Sequence, residues 1–383
     1  MSRSTFLGSP ILLPPLSTAV RRRRLKMAAS QNPITTVTRL LWGQSLPPNL
    51  LVSTARSTWS AAWHLMMSQL APSDSAGRYT RPSSSFRLCL PLPRRTLHLY
   101  VGLPCPWAHR TLIVRALKGL HAAVHVSVAS PGTDGLWEFR PVAGDTSVVA
   151  PGLDEANGCR TLKEVYNLRR GGYGGRSTVP MLWDGDSKEV VCNESYDIIE
   201  FFNSGLNDVA TNPGLDLAPP PLKKEIDRWN KIIYPNINNG VYRCGFAQSQ
   251  EAYDSAANEL FSTLEMVEEH LGSNRYLCGD TLTLADVCLF TTLVRFDLVY
   301  NVLFKCTKKK LLEYQNLHGY TRDIYQISGV AETCNFGAIM DGYYKTLFPL
   351  NPSNIRPAIP AACEREALAS PHNRDFLSLS TVV

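Results

Sequence analysis

Acidic residues are missing from the first 73 positions of this 383-residue chain, where Asp74 is the first. The same stretch holds eight bases, including the run Arg21–Arg24. Subtracting these eight from the 39 bases leaves 31 against 33 acids over residues 74–383, a net of −2. The remainder is therefore nearly neutral, which argues against a nucleic-acid-binding domain. Ten cysteines are present, yet none form a CxxC pair and none stand at zinc-finger spacing from a histidine. No apolar run approaches 18 residues, so no membrane span is expected. Internal repeats are absent. The glycine cluster at 171–175 lacks the Gly-Lys-Ser/Thr ending of a phosphate-binding loop and reads as a surface loop.

What is there is globular: 44% apolar residues and 35 aromatics. Residues 1–75 are rich in Ser, Thr, Arg, Ala and Pro. That composition predicts a transit peptide, pointing to the plastid stroma ahead of the mitochondrion or cytoplasm, or else a disordered extension. A disulfide framework is not expected in so large a chain behind an intracellular address.

Beyond residue 75 two regimes follow. Arg95–Val101 alternates like a strand, Gly102-Leu-Pro-Cys-Pro106 breaks it, and 107–118 reads as a helix closed by Gly119. His125–Val128 is a second strand. Val179–Trp183 and Glu189–Cys192 flank Asp184-Gly185-Asp186 as a hairpin, and Ser195–Phe202 is a helix. Pro and Gly fill a linker at 206–221. Helical patterns then cover about 222–237, 248–271, 283–302, 308–327 and 333–345, and the tail past 350 reads as irregular. The expected domains are an α/β unit over 76–205, an all-α unit over 222–350 and a tail over 351–383.

Cys105 stands where a strand ends and a helix begins, with Pro106 suited to the first helical position. Helix amides and the positive dipole end, with Arg110 one turn on, are expected to favour thiolate and lower its pKa. The alternative is a buried structural thiol. Ala108 occupies the position where a dithiol redox protein carries its resolving cysteine. An external thiol must therefore resolve Cys105, and glutathione is the obvious one. Thr283-Leu-Ala-Asp286 is a capping box with a structural role.

The stretch Gly102-Leu-Pro-Cys-Pro-Trp-Ala-His-Arg110 resembles the CPWAHR signature of Xi-class glutathione transferases, the glutathionyl-hydroquinone reductases. Ser177-Thr-Val-Pro-Met-Leu-Trp-Asp184 is similar to that family's TVPVLWD, and Asn193-Glu-Ser195 to its NNES. The run 238–250 looks like NNGVYxxGFAxxQ. Arg295–Tyr300, Phe304–Cys306 and Asp323–Gln326 match RFDxVY, FKC and DIYQ. The likeness covers about 95–357, in order and in both halves.

The resemblance implies a thioredoxin-like domain followed by an all-helical one, in agreement with the order of elements. It implies glutathione as co-substrate, no metal, and a homodimer formed through the helical domain. Val179 and Pro180 become a cis-proline loop pairing with the glycyl-cysteine part of glutathione. Glu194 and Ser195 become the holders of its γ-glutamyl end, although Ser195 equally suits a plain N-cap. Trp137 and Arg176 look like further glutathione contacts; a loop anchor and a surface charge are the alternatives. Tyr242 and Tyr343 are the implied proton donors to the substrate ring. Tyr234 and Tyr344 are further binding candidates, with core packing as the alternative for any tyrosine. The implied reaction reduces a glutathionyl-hydroquinone through a Cys105–glutathione mixed disulfide. The chain departs from the pattern in its short segment between Ser84-Ser-Phe-Arg87 and the cysteine strand. It also departs at Leu303, Gly342 and Leu347, where the family has histidines. Competing readings are a thioltransferase or dehydroascorbate reductase of the same fold, a non-catalytic carrier, and a conjugating transferase. The last usually uses Tyr or Ser in place of cysteine.

Overall fold

The computed structural model describes residues 49–88, 96–132 and 135–379. The basic run Arg21–Arg24 and most of the expected transit segment lie outside the described residues, as do Cys89 and Arg95.

A helix α1 (Asn49–Leu70) stands where the composition reads as an extension without fixed structure. Residues 49–71 contain neither Gly nor Pro and are rich in Ala, Leu and Met, which favour helix. The bias of the wider stretch hides this. Its last turns are anchored: the Trp63 indole donates to the Pro349 carbonyl at 3.0 Å, and Met67 and Ala71 are fully buried.

A mixed four-stranded sheet follows. Strand β1 (Leu97–Val101) pairs in parallel with β2 (Val124–Val128). A two-residue pair, β3 (Ser130–Pro131) and β4 (Trp137–Glu138), lies off the sheet. Strands β5 (Met181–Asp184) and β6 (Glu189–Cys192) complete the sheet in the order β2-β1-β5-β6. All five β1 residues are buried, because β1 is central and both faces are covered. Its polar members find partners: His98 Nε2 meets Ser127 Oγ at 2.8 Å and the Tyr100 hydroxyl donates to Asp154 at 2.8 Å. Helix α2 (Pro106–Leu117) starts at the cysteine and ends before Gly119, whose φ of +65° closes it. Helix α3 (Leu162–Leu168), capped by Thr161 and Glu164, fills part of a stretch that the sequence leaves as loop. Helix α4 (Ser195–Glu200) runs into a π-helical turn at Phe201–Gly205.

The helical half contains α5 (Lys223–Ile233), α6 (Gly240–Gly245), α7 (Gln250–Leu271), α8 (Leu284–Leu293), α9 (Gln315–Tyr325) and α10 (Phe336–Tyr344). The helix expected over 283–302 is broken. It stops at Leu293, and a π-helical turn occupies Phe296–Tyr300. A similar turn at Tyr234–Asn238 separates α5 from α6. The tail also departs from expectation. Residues 365–368 (α11) and 376–379 (α12) are helical, Leu368 is buried, and Arg374 donates to the carbonyls of Leu271, Asn274 and Arg275.

The capping box behaves as its sequence predicts. Asp286 is fully buried and accepts from the amides of Leu277 and Thr283, the Thr283 hydroxyl and the Tyr320 hydroxyl, all at 2.8 Å. Asp286→Ala strands these donors in the core. The expected loss is about 3 kcal/mol, or a melting temperature lower by roughly 10 °C, read by thermal denaturation. A change under about 1 kcal/mol would contradict this placement.

Candidate active site

Cys105 is the N-cap residue of α2, with φ −73° and ψ 116°, and Pro106 follows it. The β1–α2 turn is held by the Cys105 amide bonding to the Gly102 carbonyl at 3.0 Å. The half-buried sulfur points at the Val179 carbonyl, 3.5 Å away. The Val179–Pro180 peptide bond is cis. Together they open on a cavity of about 520 Å³.

One wall belongs to the α/β half. Here Trp137 lies against Gly102, where a Cβ atom would sit only 2.2 Å from the indole ring. No side chain fits at position 102 without moving Trp137. Glu194, not Ser195, is the N-cap of α4, accepting from the Tyr196 amide at 3.3 Å. Its other carboxylate oxygen accepts from the Ser84 hydroxyl at 2.8 Å. The buried Ser195 hydroxyl is 3.4 Å from the Arg110 guanidinium. Arg176 is exposed at the rim.

The opposite wall is aromatic. Tyr242 on α6 and Tyr343 on α10 face the cavity with their hydroxyls 2.6 Å apart, and Tyr300 lies 3.1 Å from Tyr343. Burial pushes all three phenols up, so they stay protonated at neutral pH. Tyr234 packs on Trp107 at 5.7 Å and is partly exposed. Tyr344 is placed elsewhere. It is buried and donates to the Leu298 carbonyl at 3.1 Å, outside the cavity lining. Neighbouring helical residues point about 100° apart, so α10 can offer the cavity only one of this pair.

Two residues at the cavity were not anticipated as site residues: Arg81 in its lining and Tyr300 behind Tyr343. Tyr300 falls inside the Arg295–Tyr300 motif, which named no role for it. Arg81 lies on a segment that spans the cavity mouth. At one end of that segment the Gly77 carbonyl accepts from the Gln248 amide and Ser249 Oγ donates to Ala76. At the other end Phe86 pairs with Asn193 and Arg87 forks onto Asp197. The Arg81 guanidinium sits 4.0 Å from the Trp107 ring centre. The only hint in the sequence was the adjoining Ser84-Ser-Phe-Arg87.

The expected depression of the Cys105 pKa is not what the structure supports. Burial pushes the thiol up. The amides of Ala108 and Trp107 and the charges of Arg81 and Arg295 pull it back without overcoming burial. Arg110 is not the neighbour foreseen. It lies over Trp107 at 4.4 Å and donates to Asn238, away from the sulfur. Of the replaced histidines, Gly342 and Leu347 line the cavity and Leu303 does not. A Cβ at Gly342 would fall 2.0 Å from the Pro104 ring, so this packing has no room for a side chain there.

Residues 104–204 match the family described as glutathione S-transferase, N-terminal domain, and residues 250–323 its C-terminal domain. Glutathionyl-hydroquinone reductase YqjG of Escherichia coli is 41% identical over 332 residues, which is 83% of this chain and 96% of that protein. The chain belongs to the Xi-class glutathione transferases. Glutathionyl-hydroquinone reductase PcpF of Sphingobium chlorophenolicum is 42% identical over 79% of this chain and 94% of its own length. The glutathione-bound structure of YqjG superposes with a TM-score of 0.66 at 44% identity, over 73% of this chain and 88% of that one. The Xi transferase of Phanerochaete chrysosporium gives 0.71 at 38% identity, over 76% and 95%. The cavity thus lies between the two halves of a Xi-class fold.

Since burial dominates, alkylation of Cys105 by iodoacetamide in the ligand-free protein should rise with pH through a midpoint above the ordinary thiol value of about 8.5. Peptide mass spectrometry isolates Cys105 from the other cysteines. A midpoint near 7 would mean that the amides and cations outweigh burial.

Proposed function

We propose that the protein reduces glutathionyl-hydroquinones to hydroquinones at the expense of glutathione, with Cys105 as nucleophile. The observation that carries this reading is the facing of Cys105 and the Tyr242–Tyr343 phenol pair across one cavity. No other cysteine belongs to the cavity lining among the described residues.

The Cys105 thiolate attacks the glutathione sulfur of the thioether. A disulfide bond forms between Cys105 and glutathione, and the carbon–sulfur bond breaks. Its electron pair passes to the ring carbon, a poor leaving group unless protonated. Buried, protonated phenols of Tyr242 and Tyr343 are suited to hydrogen-bond the ring hydroxyl and deliver that proton. A second glutathione then attacks the glutathione sulfur of the mixed disulfide. Oxidised glutathione leaves and Cys105 is restored. The sum is one thioether and one glutathione converted to one hydroquinone and one glutathione disulfide.

Glutathione is placed with its cysteine at the Val179–Pro180 backbone and its γ-glutamyl end at Glu194 and Ser195. There a carboxylate meets the ammonium, and the α4 amides and a hydroxyl meet the carboxylate. The Ser84 hydroxyl orients Glu194 for this role. Trp137, Arg176 and Tyr234 complete the binding surface. Tyr344 is left to packing.

A homodimer and an organelle-targeting N-terminal segment, plastid in first place, belong to the same proposal. The acid-free, basic residues 1–73 support the targeting segment. The buried Met67 and the anchored Trp63 argue that the mature chain begins before residue 62, upstream of the boundary first expected. The proposal is tested on protein beginning at Asn49.

With a glutathionyl-hydroquinone, this protein should release hydroquinone and carry a glutathione adduct on Cys105. Cys105→Ser should do neither. Tyr343→Phe should keep the adduct-forming cysteine yet lose on the order of 100-fold in kcat. An adduct from oxidised glutathione with none from the thioether would replace this reading with a thioltransferase. No adduct from either would leave the carrier reading.

A further inference from the structure

The reaction proposed above leaves His109 of the Cys-Pro-Trp-Ala-His-Arg run and Arg295 without a role. The structure joins them. Arg295 follows the end of α8 at Leu293, and that break turns it beneath the Cys105 loop. Its Nε donates to the Pro104 carbonyl at 3.1 Å and Nη2 to the Leu103 carbonyl at 2.8 Å. Nη1 donates to the Thr291 carbonyl at 2.8 Å and lies 2.9 Å from His109 Nδ1.

A guanidinium has only donors, so His109 Nδ1 must accept. The proton therefore sits on Nε2, which donates to Thr333 Oγ1 at 2.8 Å. That hydroxyl in turn donates to the Val330 carbonyl at 2.6 Å. Burial and the Arg295 charge keep His109 neutral, its pKa well below 6.5. Arg295 is 1% exposed, and among the described residues its hydrogen bonds go to three carbonyls and the His109 ring, none of them a carboxylate. All its acceptors are neutral. A full positive charge is buried one residue away from the sulfur with no counterion, which is an expensive arrangement unless a negative charge forms nearby.

We propose that Arg295 is the positioning residue of Cys105: it clamps the Leu103–Pro104 turn directly, is itself held by neutral His109, and supplies a buried, uncompensated charge that favours the thiolate alongside Arg81. This rests on Cys105 being the nucleophile and on nothing about the hydroquinone. The other charged or titratable groups facing the sulfur are Arg81 from the mouth segment and the phenols of Tyr242 and Tyr300 from the helical half. The phenols are neutral donors, so the charges that favour the thiolate are those of Arg81, the larger influence, and of Arg295, the fully buried one.

The test is iodoacetamide alkylation of Cys105 against pH, read by peptide mass spectrometry, which reports thiolate whatever the second substrate is. Arg295→Gln should move the midpoint up by about one pH unit from wild type, so alkylation at pH 7 slows roughly tenfold. Arg295→Lys keeps the charge and loses the fork. It should hold the midpoint within about 0.3 unit while mixed-disulfide formation with oxidised glutathione slows roughly tenfold. A folded Arg295→Gln protein with an unchanged midpoint overturns the proposal, as does an Arg295→Lys midpoint that rises equally. Should Arg295→Gln not fold, Arg295→Lys decides: a slowed reaction at an unchanged midpoint supports the proposal, and an unchanged rate overturns it.

Discussion

The proposed reaction needs a thiolate at Cys105, a thiol that burial favours in its neutral form, and most of the polar features around it bear on that constraint. Burial raises the thiol, as it raises any group whose charged form loses water. Against it stand the first amides of α2 and two arginines from distant parts of the chain, while the Val179 carbonyl, which accepts from the thiol, favours the neutral form as burial does. The same exclusion of water keeps the phenols of Tyr242, Tyr300 and Tyr343 protonated. One physical effect therefore acts on both partners of the proposed reaction, holding the thiol and the phenols alike in their protonated forms.

Neither half of the molecule builds this site alone. The α/β half contributes the cysteine turn, the cis-proline loop and the start of α4. The helical half contributes the phenols and Arg295. Three ties hold the halves in register. Arg295 grips the carbonyls of Leu103 and Pro104. Arg110 bonds Asn238, which itself reaches the Cys288 carbonyl and Thr292. The mouth segment runs from Ser249 to Asn193 and Asp197, touching Glu194 on the way. The first two of these ties join buried polar groups, are specific in geometry, and leave a partner unsatisfied when either side is lost.

What could be read from the chain beforehand follows the range of the forces involved. The β-α-β and β-β-α order rests on local periodicity, turn residues and Pro106, so its elements fall within a few residues of expectation. Cys105 was legible because a lone cysteine before a helix-starting proline, with Ala108 in the resolving position, has few other readings. Tyr242 and Tyr343 needed the family resemblance, since fifteen tyrosines look alike locally. Tyr344 was misplaced because a tyrosine pair does not reveal which ring faces a cavity. The break after Leu293 was invisible, as no Gly or Pro marks it and its π-helical turn follows from tertiary packing, whereas Pro235 stands in the turn after Ile233 as a breaker the periodicity passed over. The raised thiol of Cys105 was missed because helix dipoles can be read from sequence and desolvation cannot. Helix α1 was hidden by the composition around it.

The most direct test of the account is the fate of the ring carbon. Turnover of a glutathionyl-hydroquinone in deuterated water, followed by mass and proton spectra of the product, should place one deuterium on the carbon that lost sulfur. One molecule of oxidised glutathione should form for each hydroquinone released. A product without ring deuterium, or a ring left on Cys105 as a thioether, would contradict attack on sulfur with protonation of the ring.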